Sequence, residues 1–323
     1  MNVLITGGAG YIGTVLTQVL LSGGHRVRVL DKLLHGGHAL LGVWSHENFS
    51  FVRGDVADRA CVRPALRDVD AVVHLAAIVG DPACAKQRDL AVATNQDASL
   101  ALLEECKAAG VARFVFASTC SNYGKMADPG RFLDETAELR PVSLYAETKV
   151  NVELAVLDPA VTGDLCATSL RLATVFGVSP RMRFDLTVSE FTMELCTKKR
   201  LVVFGEQFWR PYVHVRDVAR AMTLVLDAPR DTVCNQVFNV GSSEQNHTKQ
   251  QLVEMILKHV PDGEIQHVHK QEDPRDYRVS FAKIARALGY RTTRSVEDGI
   301  LEVIRLLRDG VICDFDQPKY RNA

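Results

Sequence analysis

Tyr145 and Lys149 stand four residues apart in the stretch YAETK, one helical turn, so a helix there turns a phenol and an ammonium to the same face. An ammonium beside a phenol favours the phenolate by Coulomb attraction, and a phenolate can take a proton from an alcohol. Thr119 closes an apolar run, FVFAST, which reads as a buried strand emptying into a site, and its hydroxyl can donate or accept a hydrogen bond there. Each residue alone has an ordinary structural reading, since a YxxxK pair arises by chance on many amphipathic helices. Together, hydroxyl, phenol and ammonium make a device for moving a proton off an alcohol. Such a device has a use only where something nearby accepts a hydride.

The start of the chain offers that acceptor. NVLIT (2–6) is a short apolar run, followed by GGAGYIG, then VLTQVLLSGG, then HRVRVLD. This reads as strand, glycine turn, helix stopped at Gly23-Gly24, and a second strand ending at Asp31. Gly8 permits the tight turn, Gly10 lets backbone approach a pyrophosphate, and Gly13 lets helix pack on strand. The N–H groups and dipole at the helix start then receive the phosphates. A lone GxGxxG is a weak pattern; its setting between strand and helix, with an acid 24 residues after Gly7, makes it a dinucleotide site. A carboxylate at Asp31 can hold both ribose hydroxyls and repel a 2′-phosphate, which favours NAD over NADP, although Lys32 follows directly.

The elements that must position these groups alternate strand and helix. FSFVRGDVAD gives a third strand ending in Asp55-Val56, CVRPALRDVD a helix, and residues 71–77 (AVVHLAA) a fourth strand. Residues 89–109 read as one long helix, residues 113–118 as a fifth strand and ATSLRL as a sixth. His74 reads as a satisfied core histidine. This spacing predicts an α/β fold, a Rossmann-type doubly wound parallel sheet, with a smaller mixed α/β substrate domain. The expected division is 1–170 for the dinucleotide domain, with 212–241 returning to it, and 171–211 with 242–323 for the substrate domain. In that second part Arg181 and Arg183 read as solvated loop charges or, beside a phosphate-bearing substrate, as clamps. Thr248 opens an amphipathic helix, and Ser295 with Asp298 is spaced as a capping box for a last helix stopped by Gly310.

At 323 residues, 47% hydrophobic and 24% charged, the chain has the composition of an ordinary globular enzyme. A net charge of −1 gives no electrostatic reason to expect nucleic acid or an anionic membrane as partner. No apolar run approaches the roughly 18 residues of a membrane span, and no signal peptide is expected. The eight cysteines are scattered without a CxxC pair, so neither a zinc site nor a disulfide framework is expected, and reduced thiols in a cytoplasm fit best. The ten histidines contain no HExxH, and no metal is expected.

These residues together resemble the extended short-chain dehydrogenase/reductase superfamily, in its NAD-dependent nucleotide-sugar epimerase/dehydratase branch. The resemblance rests on TGGAGYIG, Asp31, GDV (54–56), HLAA (74–77), Asn95, STCSNYG (118–124), YAETK and RPYVHVRDVA (210–219), and it covers nearly the whole chain. It implies NAD lying over Gly7, Gly10, Tyr11, Ile12 and Gly13, with Asp31 and Lys32 at the adenosine ribose and Asp55-Val56 at the adenine. Leu75, Ala76 and Ala77 would pass under the cofactor, with Asn95 and Ser118 beside it. Lys149 would hold the nicotinamide ribose and lower the pKa of Tyr145, which would take the proton from a sugar hydroxyl, commonly at C4, while hydride moves to NAD. Thr119 would bond the same oxygen. Val79, Ser121, Asn122, Thr174, Arg181, Arg183, Arg210 and Arg275 would face the nucleotide sugar, and a homodimer is implied.

The sequence departs from the family at three places, one of them the SPRMRFD segment (179–185), which is unusual for galactose epimerases and is expected to mark a different sugar or nucleotide. Dehydratases of this branch carry Asp-Glu after the threonine, and decarboxylases Ser-Glu; here Cys120 and Ser121 stand there. Cys120 reads as a small hydrophobe at a strand end or as an unorthodox proton carrier. The usual Phe-Asn is replaced by Ala173-Thr174. The expected activity is therefore nucleotide-sugar epimerisation. A net dehydrogenase or keto-reductase, a dehydratase using Cys120, and a non-catalytic dinucleotide sensor are the alternatives.

Overall fold

The computed structural model describes residues 1–126, 128, 130–273 and 275–322. Its strands are β1 (Asn2–Thr6), β2 (Arg26–Asp31), β3 (Phe49–Arg53), β4 (Ala71–His74), β5 (Arg113–Thr119), β6 (Cys166–Leu172), β7 (Thr174–Phe176), β8 (Arg200–Phe204), β9 (Trp209–His214), β10 (Gln236–Val240), β11 (Asn246–Thr248) and β12 (Glu264–Val268). Seven form one parallel sheet in the order β10-β6-β5-β4-β1-β2-β3. The order reverses beside β1, and ligands of doubly wound sheets bind at the carboxyl ends of strands at such a point. The predicted α/β architecture is what the chain adopts. β4 and β6 are buried along their whole length because helices cover both faces; β4 is accordingly apolar up to His74, whereas β6 also buries Thr168, Ser169 and Arg171.

Two small sheets, β11-β9-β7 and β12-β8, make a second layer with the helices Thr187–Lys198, Lys249–Leu257 and Val296–Arg308. Their core includes Phe176, Leu195, Tyr212, Leu252 and Ile300. Both predicted helix starts have the expected chemistry: Thr248 with Gln251, and Ser295 with Asp298, close reciprocal capping boxes. The return to the main sheet falls later than residue 212. Tyr212 to His214 pair with β7 in the small sheet, and it is the helix Val215–Asp227 and then β10 that rejoin the large one.

Several local expectations need correction. β4 stops at His74 rather than Ala77: β1 turns away at Gly7, and the last bond on that side runs from the Leu75 N–H to the Thr6 carbonyl (3.0 Å). β3 stops at Arg53, where the Gly54 N–H bonds the Asp31 carbonyl (3.1 Å) and the chain turns through Asp55. The helix expected over 89–109 is two helices, Arg88–Val92 and Ala98–Ala108, joined by a π turn at Ala93–Asp97. Cys166 and Cys234 form a disulfide, against the expectation of reduced thiols throughout. They are 68 residues apart in sequence, but parallel pairing of β6 with β10 brings their Cα atoms to 4.6 Å, a proximity no spacing pattern reveals. No helix among the described residues is long and apolar enough to cross a membrane.

Candidate active site: a glycine turn facing a tyrosine and a lysine

The glycine turn is tight enough to exclude side chains. Gly7 has φ +73, and a Cβ there would lie 2.7 Å from the Ala76 nitrogen; one on Gly13 would lie 2.5 Å from the Gly7 carbonyl oxygen. The turn is thus pressed against the end of β4, and the helix Tyr11–Ser22 begins at Gly10 with no side chain capping its first turn. Uncapped N–H groups at a helix start, approached by bare backbone, are what a diphosphate needs. Asp31 accepts from the Ala9 N–H (2.9 Å) and the Leu33 N–H (2.7 Å); burial pushes its carboxyl up in pKa, and those two bonds oppose it. The cradle fits a dinucleotide. Lys32 is tied to Asp55 (2.7 Å), and although burial opposes it, that partner leaves Asp55 more acidic than an ordinary carboxyl. Val56 is buried beside them.

Asn95 does not lie free at the cofactor. It is fully buried, and its side chain accepts from the Ile78 N–H (2.7 Å) and donates to the Ile78 carbonyl (2.9 Å). It clamps the loop of Leu75, Ala76, Ala77 and Val79, and the π turn is what sets it there. His74 is the satisfied core histidine that was expected: its ring nitrogens meet Thr6 Oγ1 (2.6 Å) and Ser99 Oγ (2.8 Å), and burial lowers its pKa to about 3.

The helix Leu144–Leu157 starts at Ser143, whose hydroxyl accepts from the Ala146 N–H (3.3 Å), and it carries Tyr145 and Lys149 into the site. Lys149 is 3% exposed, donates to the Ala117 carbonyl at the end of β5 (2.9 Å), and has its Nζ 5.9 Å from the centre of the Tyr145 ring. Burial lowers its pKa to about 8. Tyr145 goes the other way from the expectation. Burial raises its pKa, Cys84 and Asp81 add to that, and the cation opposing them is Arg183, not Lys149. In the protein alone the phenol therefore keeps its proton. Thr119 Oγ1 accepts from the Ser121 N–H (3.1 Å), which leaves its own proton free to be donated into the site.

Cys120 is corrected. Its side chain is 1% exposed, packs into the main core, donates to the Arg171 carbonyl (3.3 Å), and burial raises its pKa. It is the small hydrophobe, not the proton carrier. Asn122 is also wholly buried; it donates to Ser118 Oγ (3.1 Å), and its own Oδ1 is buried without a partner among the described residues. Ser121 Oγ lies 3.4 Å from the phenol oxygen of Tyr277. Thr174 pairs with Tyr212 on β7, half-buried. Arg210 and Arg275 converge on Asp273: Arg210 Nη2 donates to it (2.7 Å), and Arg275 takes Asp81 (2.7 Å) with Asp273 3.9 Å away.

Sequence reasoning missed Tyr277, Asp273 and Lys249. Tyr277 and Asp273 lie in the irregular stretch 271–284, whose three acids and three bases show no periodicity that would reveal their aim. The Lys249 ammonium lies 4.0 Å from Asp273, and burial then Arg210 lower its pKa. Also missed was a buried network beneath the site. Arg171 bonds Glu153 (2.7 Å) and the Tyr123 phenol oxygen (2.8 Å), and Tyr123 donates to Asn239 (2.8 Å). Glu153 lies eight residues after Tyr145 in the same helix, so this pair fixes the helix on β6.

A dinucleotide cradle at the switch point of a doubly wound sheet, facing a threonine, a tyrosine and a lysine, defines an oxidoreductase-type enzyme of the extended short-chain dehydrogenase/reductase kind. The chain belongs to the NAD dependent epimerase/dehydratase family, which it matches over residues 3–241. It is 31% identical to a dTDP-glucose 4,6-dehydratase of Streptomyces niveus over 96% of this chain and 93% of that one. It is 28% identical to a UDP-glucose 4-epimerase of Corynebacterium glutamicum over 90% of each. The crystal structure of a Thermus thermophilus UDP-glucose 4-epimerase complexed with NAD superposes with a TM-score of 0.82 at 29% identity, covering 97% of this chain and all of that one. NAD is the cofactor of this family, and Gly7, Gly10, Gly13 and Asp31 are the residues here that would hold it.

Proposed function

We propose that the protein is a nucleotide-sugar 4-epimerase: it oxidises a nucleoside-diphosphate sugar at C4 and reduces the keto intermediate from the other face. The observation that carries this reading is the pair of residues directly after Thr119. Elimination or decarboxylation needs a second acid–base pair acting at a neighbouring carbon. Here Cys120 is turned into the core and Ser121 presents only a hydroxyl beside Tyr277. The nearby carboxylate, Asp81, is held by Arg275 at 2.7 Å. Proton transfer at the sugar is thus left to Tyr145 and Thr119.

Bound NAD supplies hydride acceptance and return at the sugar carbon. Thr119 donates to the reacting oxygen and fixes its direction. Tyr145 takes the hydroxyl proton as the oxygen becomes a carbonyl and returns it when the alcohol re-forms. Lys149, anchored on the Ala117 carbonyl, presents a buried positive charge that favours the phenolate during transfer. Arg210, Arg275 and Lys249 around Asp273 offer more positive than negative charge and suit a diphosphate. The same groups would serve a net dehydrogenase or keto-reductase.

The test is a panel of UDP-, GDP-, dTDP- and CDP-sugars incubated in heavy water without added cofactor. A 4-epimerase forms the C4 epimer, releases no NADH and places no deuterium on carbon. Carbon-bound deuterium at C5 or C6 would show a dehydratase, and stoichiometric NADH release a dehydrogenase; either result overturns the proposal.

A further inference from the structure

Arg181 and Arg183 are expected from sequence to face the nucleotide sugar, but the contacts of their segment, Gly177 to Asp185, run to the dinucleotide cradle. The Tyr11 phenol donates to the Gly177 carbonyl (2.6 Å), and Ser179 Oγ donates to the Tyr11 carbonyl (2.7 Å) and lies 3.1 Å from Thr14 Oγ1. The segment is therefore stitched to the first turn of the helix whose N-terminus receives a diphosphate. Arg181 and Arg183 are 5% and 8% exposed. Arg183 is gripped by Asp185 through Nε (2.9 Å) and Nη2 (2.7 Å). Among the described residues Arg181 reaches only a carbonyl, that of Arg321 (3.2 Å), and its buried Nε has no partner. Glu302, the other carboxylate beside this segment, bonds the Val178 N–H (3.3 Å) and is engaged by His214 (2.9 Å). Among the described residues, two buried guanidiniums thus meet one carboxylate. A buried charge without a counter-charge is costly, so the pocket calls for an anion.

The arginines also lie along the path a dinucleotide takes. After burial, Arg181 and Arg183 are what hold the His35 imidazole down at about 4, four residues past the ribose carboxylate Asp31. Arg183 also acts on Tyr11 at the glycine turn and on Tyr145 at the reaction centre. The pair spans from the adenosine end of the cradle to the tyrosine, the stretch where a cofactor's diphosphate belongs. Residues Pro318 to Asn322 brace them from behind: the Phe184 N–H bonds the Tyr320 carbonyl (2.9 Å), and the Asn322 N–H bonds Asp185 (3.0 Å).

We propose that Arg181 and Arg183 bind the diphosphate of NAD, forming with the glycine turn the second wall of the cofactor site, and do not contact the nucleotide sugar. A planar guanidinium can give two parallel N–H bonds to a phosphate, and a site sealed in this way retains its cofactor from one turnover to the next. The inference concerns the cofactor and stands whichever sugar the enzyme takes.

The experiment compares Arg181→Gln and Arg183→Gln with the parent by two affinities: NAD for the cofactor site, and UDP and dTDP as probes of the nucleotide site. Each variant is expected to bind NAD at least roughly tenfold more weakly and to lose NAD during purification. Its affinity for adenosine, which lacks the diphosphate, and for UDP or dTDP is expected to be unchanged. Unchanged NAD affinity, or weaker UDP or dTDP binding with NAD intact, overturns the proposal. If a glutamine variant does not fold, Arg183→Lys keeps the charge but not the paired bonds; it is expected to show a smaller loss of NAD affinity, and the same two results overturn the proposal there.

Discussion

Lys149 should make the protein less stable at neutral pH than it would be without that charge. Its folded pKa is about 8 against 10.5 for an ordinary lysine, and the side chain is 3% exposed. A gap of that size corresponds to roughly 3 kcal/mol between the charged and neutral forms. Because the folded pKa lies below the unfolded one, the folded state binds fewer protons between about pH 8 and 10.5. Stability contributed by this group therefore rises with pH across that window, and the penalty is complete below it. Lys149→Met, close in volume and uncharged, removes the penalty and forfeits the bond to the Ala117 carbonyl, about 1 kcal/mol. At pH 7 the NAD-free variant is expected to be more stable than the parent by about 2 kcal/mol in urea unfolding, and the advantage should vanish by about pH 10. Nuclear magnetic resonance of the Lys149 Cε in ¹³C-labelled protein reads the same quantity directly. A titration midpoint at or above 10, or a stability gap independent of pH, refutes the reasoning and removes burial as the cause.

Tyr145→Phe is expected to lower kcat by roughly 10²–10⁴ while the NAD content of the purified protein stays the same; an active variant would mean that another group carries the proton. Cys120→Ser should leave kcat/KM essentially at the parent value, since the thiol faces the Arg171 carbonyl in the core, and a large loss would return it to the reaction. Glu153→Gln leaves the Arg171 guanidinium buried without its counter-charge and should cost about 3–5 kcal/mol, read as a lower urea midpoint; an unchanged midpoint would show the pair to be energetically idle.

Much of the architecture was written locally. Alternation of short apolar runs with helical stretches gave the doubly wound sheet because each parallel strand must be covered on both faces, and that requirement shows in composition. The glycine turn was legible because Gly10 and Gly13 must be bare for close backbone approach, although the tight turn expected at Gly8 falls at Gly7, which has φ +73. Tyr145 and Lys149 were legible because their spacing is one turn. The short turn after β4 and the π turn at Asn95 were not, since each depends on where a neighbouring element ends and not on its own residues.

What only the folded chain decided is which charges meet. Arg171 and Glu153 come from a strand and a helix, Arg210 and Asp273 from a strand and a loop, and Arg275 reaches across the cleft to Asp81, 194 residues away. Cys166 finds Cys234 for the same reason. Residue types and local periodicity state what chemistry is available and on which kind of element it rides. Burial, and with it the direction in which Tyr145 and Lys149 are shifted and the meeting of Arg171 with Glu153 and of Arg210 with Asp273, follows from which distant segments pack together. That is why burial first, then Cys84 from a distant segment, push the Tyr145 phenol up, with Arg183 from another opposing them.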